Sequence, residues 1–346
     1  MKERERRRGA LIARALRGCW RALPPLWDLR LEDLEEIGPL LLDAGAAGLV
    51  WRRLRAVRER IPRWSFRFHQ AARACALRAR HQQQQLARAF ACFAAAGLEP
   101  ILGKGWAAAQ AYAEPDLRPL GDVDVYIPIE HAAQAFALVR DPQFPPCPVD
   151  LHVGFAELDD RTTEELYARS RCLQLGDARI RVFGPEDHLR LIALHLLRHG
   201  ARRPLWLCDV AAALEALPAD FDWAYFLSGD HRRSEWAQLA LALAQQMLGA
   251  RADEIPIPLA HPPQWTIATL LREWGRPYHH RRPLEMTLRS PRALLRELIH
   301  KWPNPIEATV TARGRFDEWP RLPFQLADCA IRTGRWLRRI SSRHRD

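Results

Sequence analysis

Apolar residues recur at helical spacing through both ends of the chain. After Asp28, apolar residues at 31, 34, 37, 40 and 41 predict a helix, and a longer helical stretch runs over 64–95. The helical period returns at Pro185, which with Glu186 and Asp187 makes a suitable helix start. From there on the pattern predicts helices over 185–199, 205–217, 222–230, 234–248, 264–274, 291–300 and about 325–340.

In the middle of the chain, the spacing of apolar residues changes after Gly97. A short apolar segment, 98–102, leads through Gly103-Lys104-Gly105 into an Ala-rich helix over 106–112. Residues 122–127 then alternate strictly between polar and apolar, which predicts a strand with one polar face.

The second half of this region repeats the change between helix and strand. A helix is predicted over 130–140, and a Pro-rich connection, 141–148, leads into a strand over 149–155. Segments 171–175 and 179–183 flank Gly176-Asp177-Ala178, which predicts a hairpin.

These elements divide the chain into three regions. A small mixed α/β core over 98–183 is set between a helical N-terminal region, 1–97, and a helical C-terminal domain, 184–346. The expected fold class is therefore α+β, and the core is the part that can build a site.

Composition restricts the class of protein. The most apolar stretch, 38–51, is short and interrupted by Asp43, so no membrane span is expected. The charged N-terminus lacks a following apolar core, which argues against a secretory signal. The seven cysteines are odd in number and none has CxxC spacing, which favours reduced thiols in a cytoplasmic protein.

The net charge of +11 raises the question of nucleic acid. Of 52 basic residues only Lys2, Lys104 and Lys301 are lysines, so much of the charge reflects a bias toward Arg. Only the two ends, 4–8 and 335–345, are densely basic, and we interpret them as solvated faces or tails. Binding of RNA or an acidic lipid surface is the less favoured interpretation.

The alternating strand carries the candidate chemistry. Asp122 and Asp124 are two residues apart and so project from the same face of the strand. Two such carboxylates repel each other unless a cation lies between them, and Mg²⁺ prefers oxygen ligands. Asp150 supplies a third carboxylate if the next strand is a neighbour. Three carboxylates can hold two Mg²⁺ ions about 4 Å apart, the arrangement used in phosphoryl transfer.

Phosphate-binding groups are predicted just before this strand. Gly103 and Gly105 let the backbone approach a phosphate at the start of a helix, and Lys104 adds a positive charge. Arg118, four residues before Asp122, could contact a triphosphate.

Four motifs in this order resemble a known family. Lys104-Gly105, Arg118, Gly121-Asp-Val-Asp124 and Val149-Asp-Leu-His152 resemble the uncharacterised nucleotidyltransferase family of bacterial genomes, within the DNA polymerase β-like superfamily. The resemblance continues through His195, Leu205 to Asp209, and Asp222-Trp223, and covers roughly residues 30–250. One departure is the interval of 26 residues between Asp124 and Asp150, where the family usually fits an extra strand pair.

The resemblance implies Mg²⁺-dependent transfer of a nucleoside monophosphate from an NTP, with ATP expected first, to a small molecule, peptide or protein. It implies that Asp122, Asp124 and Asp150 bind the metals, and that Asp150 also helps to activate the acceptor hydroxyl. Gly103, Lys104 and Gly105 would cradle the triphosphate, beside Arg118.

Other interpretations stay open at this stage. The same fold could serve as an inactive module that binds RNA or a partner, or could modify an RNA end. Asp122 and Asp124 could face solvent on an edge strand, and Lys104 could be a surface residue. His152 could support Asp150 or simply pack.

For two further groups the structural interpretation is preferred. His195 and His199 are favoured as core or interface residues over zinc ligands. Asp209 lies in an apolar stretch, and we expect it to bond to an Arg or a His.

Overall fold

A computed structural model describes residues 2–55, 65–252, 255–277 and 302–343, with the side chains of the last helix described through Arg335. The predicted helix 291–300 and the basic side chains beyond Arg335 lie outside the described residues.

The N-terminal region is helical, as predicted. Its amphipathic second helix buries Leu34, Ile37 and Leu41 completely, which is the face that the sequence pattern indicated. Its described helices are α1 (Lys2–Leu16), α2 (Leu31–Asp43), α3 (Ala47–Leu54) and α4 (Phe66–Ala95).

A mixed sheet of five strands occupies the middle of the chain. The strands are β1 (Ile101–Leu102), β2 (Val123–Ile127), β3 (Val149–Val153), β4 (Arg171–Leu175) and β5 (Ala178–Val182). Their spatial order is β3-β2-β1-β5-β4. The pairs β2–β3 and β1–β5 are parallel, while β1–β2 and the β4–β5 hairpin are antiparallel.

Three helices belong to the same part of the chain: α5 (Gly105–Ala109), α6 (Ala132–Arg140) and α7 (Thr163–Arg169). The start of α7 is fixed by a capping box, in which Thr162 accepts from the Glu165 amide and Glu165 accepts from the Thr162 amide. The chain is therefore turned back toward β4 at a defined point.

The C-terminal part is helical again. Helix α8 begins at Pro185, as predicted, with Glu186 and Asp187 in its first turn. Its helices are α8 (Pro185–Arg198), α9 (Pro204–Glu215), α10 (Trp223–Leu227), α11 (His231–Leu248), α12 (Gln264–Trp274), α13 (Pro305–Thr311) and α14 (Leu322–Arg343).

The N-terminal and C-terminal helices share one hydrophobic core. Leu16 of α1, Ile37 of α2, Leu196 of α8 and Leu241 of α11 are all fully buried in it. The sheet has two smaller clusters, one on each face, and the face toward α8 includes Leu191 of that helix. Among the described helices, none combines the length and apolar character that crossing a bilayer would require.

The basic N-terminus is a packed helix rather than a tail. Arg4, Arg7 and Arg8 of α1 all form ion pairs with Glu36 of α2. Exposed pairs of this kind contribute little stability individually, but together they neutralise part of the basic charge.

Candidate active site

The site is built on the paired strands β2 and β3. The two strands are parallel, and Asp124 stands opposite Asp150 in their register. Val123 and Val125 point to the other face, where they are buried in the sheet core. The condition under which the sequence could bring Asp150 to Asp124, that their strands are neighbours, is therefore met, and the register places both carboxylates on one face.

His152 joins these carboxylates from the same face of β3. Its Nε2 lies 2.9 Å from Asp124 Oδ1 and 3.4 Å from Asp150 Oδ2. Its ring stacks on Tyr126, with centroids 4.5 Å apart. His152 thus supports Asp124 more closely than Asp150, and its spacing of two residues from Asp150 is the sequence signal that points to this placement.

Lys104 reaches the same carboxylate from the turn after β1. Its Nζ lies 2.6 Å from Asp124 Oδ1, and the two side chains are only 10% and 12% exposed. Lys104 is therefore not a surface lysine. Burial acts to raise the pKa of Asp124, but the hydrogen bond from His152 and the charge of Lys104 outweigh it and hold that pKa below its ordinary value.

The backbone of this turn explains why glycine flanks the lysine. A Cβ on Gly103 would lie 2.7 Å from the Tyr126 ring and 3.0 Å from Leu191, so glycine is needed for close packing there. The Gly103 amide donates to the Asp124 carbonyl, which attaches the turn to β2. Lys104 itself has φ 47° and ψ −149°, a backbone conformation that residues other than glycine rarely adopt.

The donor atoms are close enough to share a cation. Within the described residues, one ligand atom each from Asp124, Asp150 and His152 lies within 4.8 Å of the others. Two carboxylates and an imidazole are ordinary ligands for a divalent ion, and the half-exposed Asp150 leaves one side open to substrate.

Asp122 is placed beside this group but is not part of it. It is exposed, one residue before β2 begins. Asp122 and Asp124 nevertheless line the same crevice, together with Gly103 and Trp106. Both residues of the Asp-x-Asp pair therefore border one small depression at the start of β2.

Arg118 is placed differently from the triphosphate contact that the sequence suggested. It is buried, and its Nη2 and Nε lie 2.6 and 3.1 Å from the carboxylate oxygens of Asp209 on α9. Tyr112 donates a third hydrogen bond to the same carboxylate. The expectation that Asp209 bonds to an Arg or a His is therefore confirmed, with Arg118 as the partner.

His195 lies on α8, the exposed His199 directly follows the last residue of that helix, and both rings contact Trp206 of α9. The ring centroid of His195 is 4.9 Å from that of Trp206, and the two His rings are 4.4 Å apart. Burial lowers the pKa of His195 to about 2. These are the contacts of neutral packing residues, which agrees with the preferred sequence interpretation.

Comparison with known proteins is consistent with this geometry. A profile of the family described as uncharacterised nucleotidyltransferase matches residues 32–143 and 146–249. The match breaks at residues 144 and 145, inside the Pro-rich connection, and covers all the site residues described above. No curated protein and no solved structure is significantly similar to the chain. Because the matched stretches make up more than half of its length, the chain belongs to the uncharacterised nucleotidyltransferase family.

Proposed function

We propose that the protein is a Mg²⁺-dependent enzyme that transfers a nucleoside monophosphate from an NTP, with ATP expected first, to an acceptor hydroxyl. The observation that carries this proposal is the register of β2 and β3, which sets Asp124 opposite Asp150 with His152 beside both. Family membership supports the reaction class. The reaction implies a compartment that holds NTPs, and the cytoplasm meets this condition.

The residues present fit the metal. Mg²⁺ in nucleotide enzymes is commonly held by one or two carboxylates together with substrate phosphates. Asp124 and Asp150 would hold it, and Asp122, at the same crevice, is the proposed third carboxylate. When bound, Mg²⁺ neutralises charge on the phosphates and on the leaving pyrophosphate, with two ions expected in this class of reaction.

The chain's own groups have defined tasks in the transfer. A bond forms between the acceptor oxygen and the α-phosphorus, the bond from that phosphorus to the bridging oxygen breaks, and pyrophosphate leaves. Asp150, whose side chain is 54% exposed, would take the acceptor proton on its carboxylate. His152 holds the Asp124 carboxylate in position through its Nε2.

The turn from Gly103 to Gly105 would hold the triphosphate next to these carboxylates. Lys104 carries a charge at the site, and the turn is hydrogen-bonded to β2. Arg118 is occupied by Asp209, so a direct phosphate contact would first require that ion pair to break. We therefore propose that Arg118 positions the loop before β2 rather than binding phosphate.

The test is thermal stability with each NTP, with and without Mg²⁺. Ligand at about 100 times its Kd stabilises a folded protein by about 2.7 kcal/mol, which gives a readable shift. We expect a shift that requires Mg²⁺ in the wild type and is lost in Asp124→Asn and Asp150→Asn. Transfer of label from the α-phosphate of the preferred NTP then identifies the acceptor.

The matched control is Asp177→Asn, which removes an exposed carboxylate in the β4–β5 turn. It should retain the full shift. If no NTP shifts the wild type under any Mg²⁺ condition, or if the Asp124 variant retains the shift, the proposed function is wrong.

A further inference from the structure

The carboxylate of Asp124 is already bound by a cation of the chain itself. The Lys104 ammonium lies 2.6 Å from Oδ1, and His152 Nε2 lies 2.9 Å from the same oxygen. Among the described residues, the Asp124 carboxylate is the ion-pair partner of Lys104. A divalent ion that used this oxygen would therefore compete directly with the lysine.

Burial makes that competition severe. With Lys104 10% and Asp124 12% exposed, solvent screens their charges only weakly. A free divalent ion would take the carboxylate from Lys104 and leave an ammonium in partial burial, close to a like charge. A metal–triphosphate complex brings phosphate oxygens with it, and these give the ammonium a new anionic partner.

The backbone provides an independent reason to assign Lys104 a function. Its φ of 47° and ψ of −149° lie in a region that is populated mainly by glycine. Holding another residue there is unfavourable, and such outliers cluster at functional sites. Glycine occupies both neighbouring positions. Replacing Lys104 itself by glycine would relieve its unfavourable backbone conformation.

We propose that Lys104 makes the site selective for a metal–nucleoside triphosphate complex over the free divalent ion. The ammonium holds the Asp124 carboxylate and moves to the triphosphate when metal and nucleotide arrive together. This inference rests on the proposed function, and it specifies that the NTP is recognised as its metal complex. As a result, the metal and the nucleotide each raise the binding affinity of the other, by a factor in the usual range of about 5- to 150-fold.

The experiment measures binding of Mn²⁺ by electron paramagnetic resonance, so that no catalytic turnover is needed. The nucleotide is an ATP analogue with a methylene group in place of the α,β-bridging oxygen. For Lys104→Met we expect free Mn²⁺ to bind about tenfold more tightly than to the wild type, because the competing charge is gone. We also expect the analogue to strengthen Mn²⁺ binding less than it does in the wild type.

Three further variants make this result specific. Lys2→Met removes an exposed lysine of α1 and should bind Mn²⁺ as the wild type does. Lys104→Gly removes the same amine while relieving the backbone, so it should fold and also bind free Mn²⁺ more tightly. Adding Asp124→Asn to Lys104→Met should abolish the gain, which locates it at this carboxylate.

The inference is overturned if neither Lys104 variant binds free Mn²⁺ more tightly than the wild type, or if the gain survives loss of Asp124. If the analogue binds the wild type but leaves its Mn²⁺ affinity unchanged, the inference is overturned as well. Failure of the proposed function has a different signature, because then no NTP complex binds the wild type whatever the Lys104 variants do.

Discussion

At the scale of single residues, the site depends on buried charges that are all paired. Lys104 pairs with Asp124 of β2, and Arg118, in the loop before β2, pairs with Asp209 of α9. A buried ion pair adds little net stability over a well-packed apolar pair, but losing one partner leaves a buried charge without compensation. The two pairs therefore fix positions more than they add to the free energy of unfolding.

The Arg118–Asp209 pair gives a prediction that separates a positioning role from phosphate contact. Arg118→Met leaves the Asp209 carboxylate charged and buried, so the free energy of unfolding should fall by about 3–5 kcal/mol. Arg118→Met with Asp209→Asn removes that charge while keeping an acceptor for Tyr112, and should recover part of the loss. Urea denaturation of the single and double variants measures the coupling.

The exposed Arg179→Met on β5 is the control and should change the free energy of unfolding by no more than about 0.5 kcal/mol. Strictly additive losses in the double variant would contradict the positioning role. A loss of nucleotide binding with unchanged stability would show instead that Arg118 contacts the substrate.

At the scale of elements, the close approach between the β1 turn and β2 sets the geometry of the site. Gly103 packs against the ring of Tyr126, and that ring stacks on His152, which holds Asp124. A change of one atom at Gly103 is therefore transmitted to the carboxylate through two rings. This link is invisible to period and spacing, because it depends on contacts between residues far apart in sequence.

Gly103→Ala tests this link. The added Cβ would lie 2.7 Å from Tyr126 Cε2, so the ring must move and His152 must follow. We expect a loss of about 1–3 kcal/mol in the free energy of unfolding, from overpacking, together with weaker binding of the Mg²⁺–NTP complex. Gly121→Ala is the matched control, since a Cβ there meets nothing within 4 Å. Equal behaviour of the two variants would contradict the proposed link.

Sequence periodicity located most helices and strands because the apolar positions of these elements are the ones that the fold buries. The predicted helix 264–274 and the hairpin of β4 and β5 are found where expected. Of the short apolar segment 98–102, only Ile101–Leu102 forms a strand, since only this part pairs with β2 and β5. Helix α11 begins at His231 rather than 234, because Asp230 caps it and Gly229 has φ +81°.

The candidate site was predicted only in part, for a physical reason. Alternation is local, so it predicted that Asp124 and Asp150 lie on strands, while the pairing of those strands was only a condition that the structure now meets. Lys104 pairs with a carboxylate 20 residues away in sequence, and Arg118 pairs with one 91 residues away. Both contacts depend on how the chain folds. Sequence pattern carries no such information, so it identified neither Asp124 as the partner of Lys104 nor Asp209 as the partner of Arg118.

At the scale of the whole molecule, helix α8 connects the sheet to the large helical core. Leu191 packs on the sheet face that carries Tyr126, while Leu196 lies in the core shared by the N-terminal and C-terminal helices. Several titratable side chains on this helix are therefore buried, among them Glu186, Asp187 and Arg190. Their ionisation acts on the stability of the entire fold rather than on one element.

Two neighbours on α8 have opposite effects on that stability. Burial lowers the pKa of His188 to about 4 and raises the pKa of Asp187 to about 6. The neutral His188 contributes stability above its unfolded value of 6.5, and this is lost as the pH falls toward 4. For Asp187 the contribution is present below its unfolded value of 3.8 and is lost as the pH rises through about 6.

Urea denaturation at pH 7 and pH 4.5 should show both effects. On acidification His188→Gln should lose less free energy of unfolding than the wild type, by about 2–3 kcal/mol, because no buried imidazole must then take up a proton. Asp187→Asn should lose more than the wild type over the same interval, since it lacks the carboxyl that is protonated more readily in the fold. If both variants follow the wild-type curve, the acid sensitivity of the fold arises elsewhere, and α8 does not couple ionisation to the stability of the whole molecule.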